Sequence, residues 1–285
     1  MIGAGAIGGT VAALLDEAGH EVSLCVRTPF RELVAEFDDR TIHAKAEVLI
    51  EPSQAKAVDW VILASKAYDS ESAAGWLARL AHEGTTVVVL QNGVDHAERI
   101  APLAPASTIL PALAYIAAER VGPGHVRHRN NLLLVVAAGT NVADLFAGTP
   151  VEILVDPDFR TAAWRKLLMN IAANPITALT GRPMEVFGEP GVVELADGLL
   201  AEALTVANAE GADVTVKDVR RIQRTYAELA PDVGTSMLWD RLADRRTEID
   251  LLNGAVVRAA DRHGIPVPLN RTMLTLLGAI DRKPA

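Results

Sequence analysis

Two textures of hydrophobic and polar positions divide the chain. Up to about Asp156, short apolar runs rich in β-branched residues alternate with Ala-rich stretches of helical spacing. Glu21 to Val26, Trp60 to Ala64, Thr85 to Leu90 and Leu132 to Ala137 read as strands. Continuous apolar runs of this length suit strands buried on both faces. Ala6 to Ala18, Ser70 to Ala81 and Val94 to Ile100 carry helical spacing between them, and that alternation predicts a parallel sheet covered by helices. Thr108 to Arg129 has strand character around a Gly-Pro-Gly turn at Gly122 to Gly124, so extra antiparallel strands are expected late in the sheet. After Pro157, the segments Arg160 to Leu179, Val192 to Glu210, Val216 to Ala230 and Thr247 to His263 all carry helical periodicity. The expectation is an α/β chain with a parallel-sheet domain at 1–156 and an all-helical domain at 157–285.

Composition narrows the class. The 285 residues are 50% hydrophobic and 22% charged, which suits a folded protein rather than a disordered one. Lys and Arg number 27 against 36 Asp and Glu, a net charge of −9. An acidic chain with only 4% aromatic residues lacks both the basic footprint and the stacking platforms of a nucleic-acid binder. The single cysteine, Cys25, excludes an internal disulfide framework and fits a reducing compartment. No apolar run approaches the roughly 20 residues that span a bilayer, and no secretory signal is visible. A cytoplasmic protein is expected.

Candidate chemistry begins at the N-terminus. Gly3-Ala4-Gly5-Ala6-Ile7-Gly8 matches GxGxxG and opens into a helix. The first glycine permits a tight turn, the second admits a pyrophosphate to the backbone, and the third allows close helix–strand packing. That is a Rossmann-type fingerprint, with phosphate at the helix N-terminus. Only Met1 and Ile2 precede Gly3, whereas the motif ordinarily follows a full central strand. Its absence would leave the neighbouring strands unpaired, so a start several residues upstream is expected. The strand ending at Val26 delivers Arg27 where an NAD binder carries an acidic residue, and a guanidinium matches a 2′-phosphate. NADP is therefore the expected cofactor.

Two other strand ends carry polar groups, Ser65-Lys66-Ala67-Tyr68-Asp69 and Gln91-Asn92-Gly93. Ligands of open α/β sheets bind at such carboxyl ends; solvated loop residues are the alternative. In the second half, Lys166, Asn170 and Asn174 recur at i, i+4, i+8 and so share one face of a single helix in apolar surroundings. Such a stripe either satisfies core hydrogen bonds or lines a cleft as a wall of donors. Ser236 follows in Thr235-Ser236-Met237, and Glu248 in Arg246-Thr247-Glu248-Ile249-Asp250. Alone, Glu248 reads as an exposed helix carboxylate and Gly254 as a mark of close helix packing.

Taken in order, these motifs make the chain resemble the ketopantoate reductase (2-dehydropantoate 2-reductase) family. The motifs are the glycine fingerprint, Lys66-Ala67-Tyr68, Gln91-Asn92-Gly93, Trp164-Arg165-Lys166 through Asn170 and Asn174-Pro175, Ser236-Met237, and Thr247-Glu248-Ile249-Asp250 with Asn253-Gly254. The resemblance implies a Rossmann domain, a helical domain of the 6-phosphogluconate dehydrogenase C-terminal type, and an active-site cleft between them. It implies NADPH (or NADP+ in reverse) and a branched 2-keto acid, in pantothenate synthesis. By the same resemblance, Lys166 is the general acid, Glu248 holds the substrate hydroxyl, and Asn170 and Asn174 orient the substrate. Ser236 contacts its carboxylate, while Asn92 and Lys66 line the cofactor side. Gly3, Gly5, Ala6, Ile7 and Gly8 hold the pyrophosphate, and Arg27 the 2′-phosphate.

Three other readings compete. A β-hydroxyacid dehydrogenase also uses a helical Lys with an Asn four residues on, but Arg120 to His125 lacks the glycine-rich substrate motif of that family. An opine-type dehydrogenase is ordinarily longer. A non-catalytic NADP sensor would not need both Lys166 and Glu248. His125 and His128 flank strand-like sequence rather than a helix, so no metal site is expected. The apolar helices of the second half offer a face for a homodimer.

Overall fold

The structure, a computed structural model, describes residues 1–66, 70–139 and 141–282. Ala67 and Tyr68 of the Lys66-Ala67-Tyr68 motif, and Asp69, lie outside the described residues. By their contacts the residues form two compact units, Met1–Gln91 with Asp95–Phe159, and Asn92–Val94 with Arg160–Ala285.

The first unit contains β1 (Ser23–Cys25), β2 (Leu33–Glu36), β3 (Thr41–Ala44), β4 (Glu47–Leu49), β5 (Trp60–Leu63), β6 (Thr86–Val89), β7 (Thr108–Gly122), β8 (His125–Ala137) and β9 (Glu152–Asp156). Its helices are α1 (Ala6–Glu17), α2 (Ser70–Leu80), α3 (His96–Ile100) and α4 (Val142–Leu145). β1 pairs with β4, and β5, β6 and the start of β7 run parallel to one another. The short N-terminal segment closes the gap between these groups. Ile2 bridges Cys25 on one side and Leu63 on the other. Cys25 N donates to Met1 O at 2.8 Å and Ile2 N to Ile62 O at 2.8 Å. The neighbouring strands are thus paired through Ile2, not left unpaired as expected, and β1 and β5 are themselves only three and four residues long. The parallel order β4, β1, Ile2, β5, β6, β7 is that of a Rossmann sheet.

Alternating side chains of these strands serve opposite faces. Leu24, Ile62 and Val88 pack with Val11, Leu14 and Leu15 of α1. Cys25, Val61, Leu63, Val87 and Val89 pack with Trp76, Leu77 and Leu80 of α2. The antiparallel strands expected around Gly122 to Gly124 are β7 and β8, and they form the other half of this unit. β7 leaves β6 after Pro111 and continues antiparallel to β8 from Ala112 to Gly122. Pro111 cannot donate to a ladder, and it sits where the strand changes partners. Pro123 and Gly124 (φ +70°) make the turn into β8. β2 and β9 both add to β8 in parallel, and β3 pairs antiparallel with β2.

The second unit is helical: α5 (Phe159–Ile171), α6 (Ala173–Thr180), α7 (Val192–Ala209), α8 (Val216–Glu228), α9 (Ser236–Leu242), α10 (Asn253–His263) and α11 (Pro268–Asp281). One apolar core joins them, including Leu167, Leu168, Ile171, Leu199, Val206, Val256 and Leu277. Two expectations need correction. Arg160 to Leu179 is two helices, because Pro175 has no N–H for the carbonyl of Ile171 four residues earlier and its ring crowds that carbonyl. The chain breaks at Ala172 (φ −105°, ψ −54°), and Pro175 falls in the first turn of α6, where proline is tolerated. Thr247 to His263 is likewise not one helix. Ile249–Leu251 is a single 3₁₀ turn, and α10 starts only at Asn253.

Candidate active site

In the first unit, the glycines of the fingerprint meet different demands. Gly3 has φ +93°, and a Cβ there would lie 2.6 Å from Ser65 N. A Cβ on Gly8 would collide with the Gly3 carbonyl. Both are required by the fold itself. Gly5 is not: its φ of −76° is open to any residue, and a Cβ there would meet nothing within 4 Å. Gly5 is the N-cap of α1 and offers no side-chain cap. The N–H groups of the first helical turn, which begins with Ala6 and Ile7, lack intrahelical acceptors. A glycine that the protein's own packing does not need, beside an uncapped helix start, is the cradle a pyrophosphate requires, so the residues present fit a dinucleotide.

Arg27 is exposed two residues beyond β1, and Lys66 is partly buried three residues beyond β5. Gln91, buried after β6, organises this edge. Its Nε2 donates to Ser65 O at 3.0 Å and its Oε1 accepts from Arg99 Nη1 at 2.9 Å. Arg99 also pairs with Asp95 at 2.9 Å, and Gln91 O is 2.7 Å from His96 Nε2. Gln91 belongs to the motif Gln91-Asn92-Gly93, yet nothing in the local sequence marks it as the tie between two strand ends.

In the second unit, Lys166 and Asn170 lie one turn apart on α5, and Asn174 follows the break, on α6. The straight i, i+4, i+8 stripe is therefore interrupted. Burial pushes the Lys166 ammonium down to about 8, and the negative charge of Glu248 opposes that shift. Glu248 is not the exposed helix carboxylate that its local sequence suggests. It is only 7% exposed and stands just ahead of the 3₁₀ turn. Asn92, which groups with this unit, donates from Nδ2 to Glu248 Oε2 at 3.1 Å. Among the described residues, the side chains of Asn170, Asn174 and Ser236 have no hydrogen-bond partner, although Asn174 is only 6% exposed.

Two further ties place these groups. Thr235 caps α9, accepting from Leu238 N at 3.2 Å, and its hydroxyl lies 2.7 Å from that of Thr177 on α6. Ser236, the first residue of α9, is thereby fixed relative to α6. Thr247, 1% exposed, donates through N and Oγ1 to the Asp281 carboxylate at 3.1 and 2.7 Å, which anchors the residue before Glu248. Both ties join residues far apart in the chain, so no local pattern announces them. Among the described residues no group of three or more His, Cys, Asp or Glu side chains could hold a metal, and no helix is long and apolar enough to cross a membrane.

The model of the family "Ketopantoate reductase PanE/ApbA" matches residues 1–141, and that of its C-terminal part matches residues 158–281. This chain belongs to the ketopantoate reductase family. It is 40% identical to 2-dehydropantoate 2-reductase of Mycobacterium tuberculosis, over 100% of this chain and 98% of the relative. A PanE/ApbA family ketopantoate reductase from Ralstonia eutropha superposes with a TM-score of 0.92 at 34% identity, covering 98% of this chain and 97% of the other. A ketopantoate reductase of Staphylococcus aureus, described as dimeric, gives 0.88 at 25% identity, covering 98% and 97%. Within this family's fold, the grouping of Lys166, Glu248 and Asn92 joins residues that the sequence could only associate through resemblance.

Proposed function

We propose that the chain reduces a branched 2-keto acid, 2-dehydropantoate, to the 2-hydroxy acid pantoate with NADPH. What supports this most directly is the second unit's grouping. A lysine whose proton is held loosely stands with Glu248, and among the described residues the side chains of Asn170, Asn174 and Ser236 have no hydrogen-bond partner. The relatives' names supply the substrate.

NADPH, when bound, supplies the hydride. Gly3, Gly5, Ala6, Ile7 and Gly8 hold its pyrophosphate, Arg27 its 2′-phosphate, and Lys66 and Asn92 line its side of the site. Lys166 Nζ gives a proton to the substrate's ketone oxygen as charge develops there. A cation aimed at that oxygen is usually the largest catalytic contribution, and a value near 8 suits proton donation near neutral pH. Glu248 accepts from the substrate hydroxyl, held in place by Asn92. Asn170 and Asn174 orient hydroxyl and carbonyl groups, and Ser236 receives the carboxylate. Cytoplasmic residence, a place in pantothenate synthesis and a homodimer complete the proposal.

The test is NADPH oxidation across a panel of 2-keto acids with 2-dehydropantoate included. The expected result is highest kcat/KM on 2-dehydropantoate. Turnover of other 2-keto acids with none of this one would remove the substrate assignment and leave the fold assignment standing.

A further inference from the structure

The break between α5 and α6 frees backbone carbonyls inside an apolar core. An unpaired buried carbonyl is costly, so each needs a donor from elsewhere. Ile171 O, deprived of a donor by Pro175, accepts from Asn253 Nδ2 at 3.0 Å. Met169 O accepts from the Tyr226 hydroxyl at 2.6 Å, and the Ala173 N–H addresses the same hydroxyl. Tyr226 thus intrudes into the i→i−4 ladder, a recognised cause of a sharp helix kink. Burial pushes its phenol up, which keeps it a neutral donor.

The Asn253 amide is itself oriented by a chain of acceptors. Asn270 Nδ2 donates to Leu199 O at 3.2 Å and to Glu202 Oε2 at 2.8 Å. Glu202 also accepts from Leu269 N and Asn270 N, both at 2.9 Å, at the start of α11. Two acceptors around Nδ2 oblige Asn270 to turn its Oδ1 toward Asn253, which donates to it at 2.9 Å. Asn253 must therefore present Nδ2, not Oδ1, to both Asn270 and Ile171. Its Oδ1 is left buried with no partner, on a residue 0% exposed.

We propose that Tyr226 and Asn253, the latter oriented through Asn270 and Glu202, are positioning residues that hold the kink at Ala172. They thereby set Asn174 against Lys166 and Asn170. The inference rests on the functional reading of that stripe. Neither residue needs to touch substrate. Each fixes a backbone carbonyl between the two halves of the stripe, and small misplacements of a catalytic group reduce turnover steeply.

Tyr226→Phe removes one donor and keeps the ring that packs 5.2 Å from Phe187. Asn253→Ala removes the other. The measurements are kcat and KM for 2-dehydropantoate, NADPH affinity by fluorescence titration, melting temperature, and a pH titration of the Lys166 ε-carbon by NMR. In Tyr226→Phe, kcat is expected to fall about 10- to 100-fold, with NADPH affinity within about twofold and the protein folded. An unchanged kcat in the folded variant would overturn the proposal. Should Asn253→Ala fail to fold, Tyr226→Phe decides alone. If the wild type reduces no 2-keto acid, that failure belongs to the functional reading, and the Lys166 titration then decides. A rise from about 8 toward the ordinary 10.5 in Tyr226→Phe supports a kink that holds the lysine buried; an identical titration in both proteins overturns it.

Discussion

The two units present their candidate groups in opposite ways. In the sheet unit the groups are backbone and strand ends: a helix start with a glycine no neighbour needs, an exposed Arg27, and Lys66 three residues past β5. In the helical unit they are side chains in or beside the core. Lys166 is desolvated, Glu248 and Asn174 are buried, and the segments bearing them are tied by Tyr226, Asn253, Thr235 and Thr247. Backbone N–H groups at a helix start recognise phosphate whatever side chains flank them, so that site depends chiefly on where bulk is excluded. A buried ammonium has its acidity set by every neighbour, so that site depends on packing at a distance.

The largest effect expected from this contrast is at Lys166. Lys166→Ala should lower kcat by about 10²- to 10⁴-fold, with NADPH affinity in a fluorescence titration within about twofold. Equal losses in both would make the lysine structural and dissolve the division. Next is Arg27→Asp. Replacing a charge-assisted contact by a repulsive one should weaken NADPH about 10- to 100-fold and leave NADH nearly unchanged in parallel titrations. An unaltered preference would remove Arg27 from the 2′-phosphate.

A smaller effect separates the two kinds of glycine. Gly5→Ala should leave the melting temperature unchanged and weaken NADPH roughly tenfold, about 1.4 kcal/mol. Gly8→Ala should destabilise the fold itself, because its Cβ meets the Gly3 carbonyl. Calorimetry of both variants would reveal whether Gly5 is instead a folding glycine.

The mildest effect is on pH dependence. Lys166 must be protonated to act as acid and titrates at about 8. The kcat/KM for reduction should then be flat below that value and fall as pH rises through it, tenfold per unit at most. The stability effect has the other sign. Because the folded value lies below 10.5, the unfolded chain binds more protons between about 8 and 10.5. The lysine's unfavourable contribution to folding is thus full below 8 and is relieved as pH rises. A reduction profile that stays flat past pH 9 would detach Lys166 from the chemistry.

Much of the fold was legible because burial on both faces writes itself as unbroken apolar runs. Trp60 to Ala64 and Thr85 to Leu90 match β5 and β6 to within a residue, and Ala6 to Ala18 matches α1. β2 and β3 escaped notice because, unlike the apolar runs of β5 and β6, their positions alternate between buried and more exposed and they flank the charged stretch Asp38 to Arg40. The break at Ala172 was hidden for a different reason. Ala172, Ala173 and Asn174 are compatible with continuous helix, and only Pro175 signals the change, one turn later. Of the candidate site, the residue types and their order could be read. The burial of Glu248 could not, since Asp281 supplies the anchor for Thr247 from 34 positions away. Nor could the partners of Ile171 and Met169, which come from α10 and α8.

β7 has a consequence for how the first unit assembles. One continuous strand of 15 residues is parallel to β6 at its start and antiparallel to β8 for the rest. Its hairpin with β8 closes across only Pro123 and Gly124, so little loop entropy opposes it. The hairpin's other partners, β2 and β6 from earlier chain and β9 from later chain, join it by contacts of longer range. The hairpin is thus a pairing that closes at short sequence separation, whereas the pairs that build the nucleotide-binding half, such as Trp60 with Thr86 and Thr86 with Thr108, span more than 20 positions. The bridges that seat the glycine loop, Ile2 to Cys25 and Ile2 to Leu63, are of that longer range.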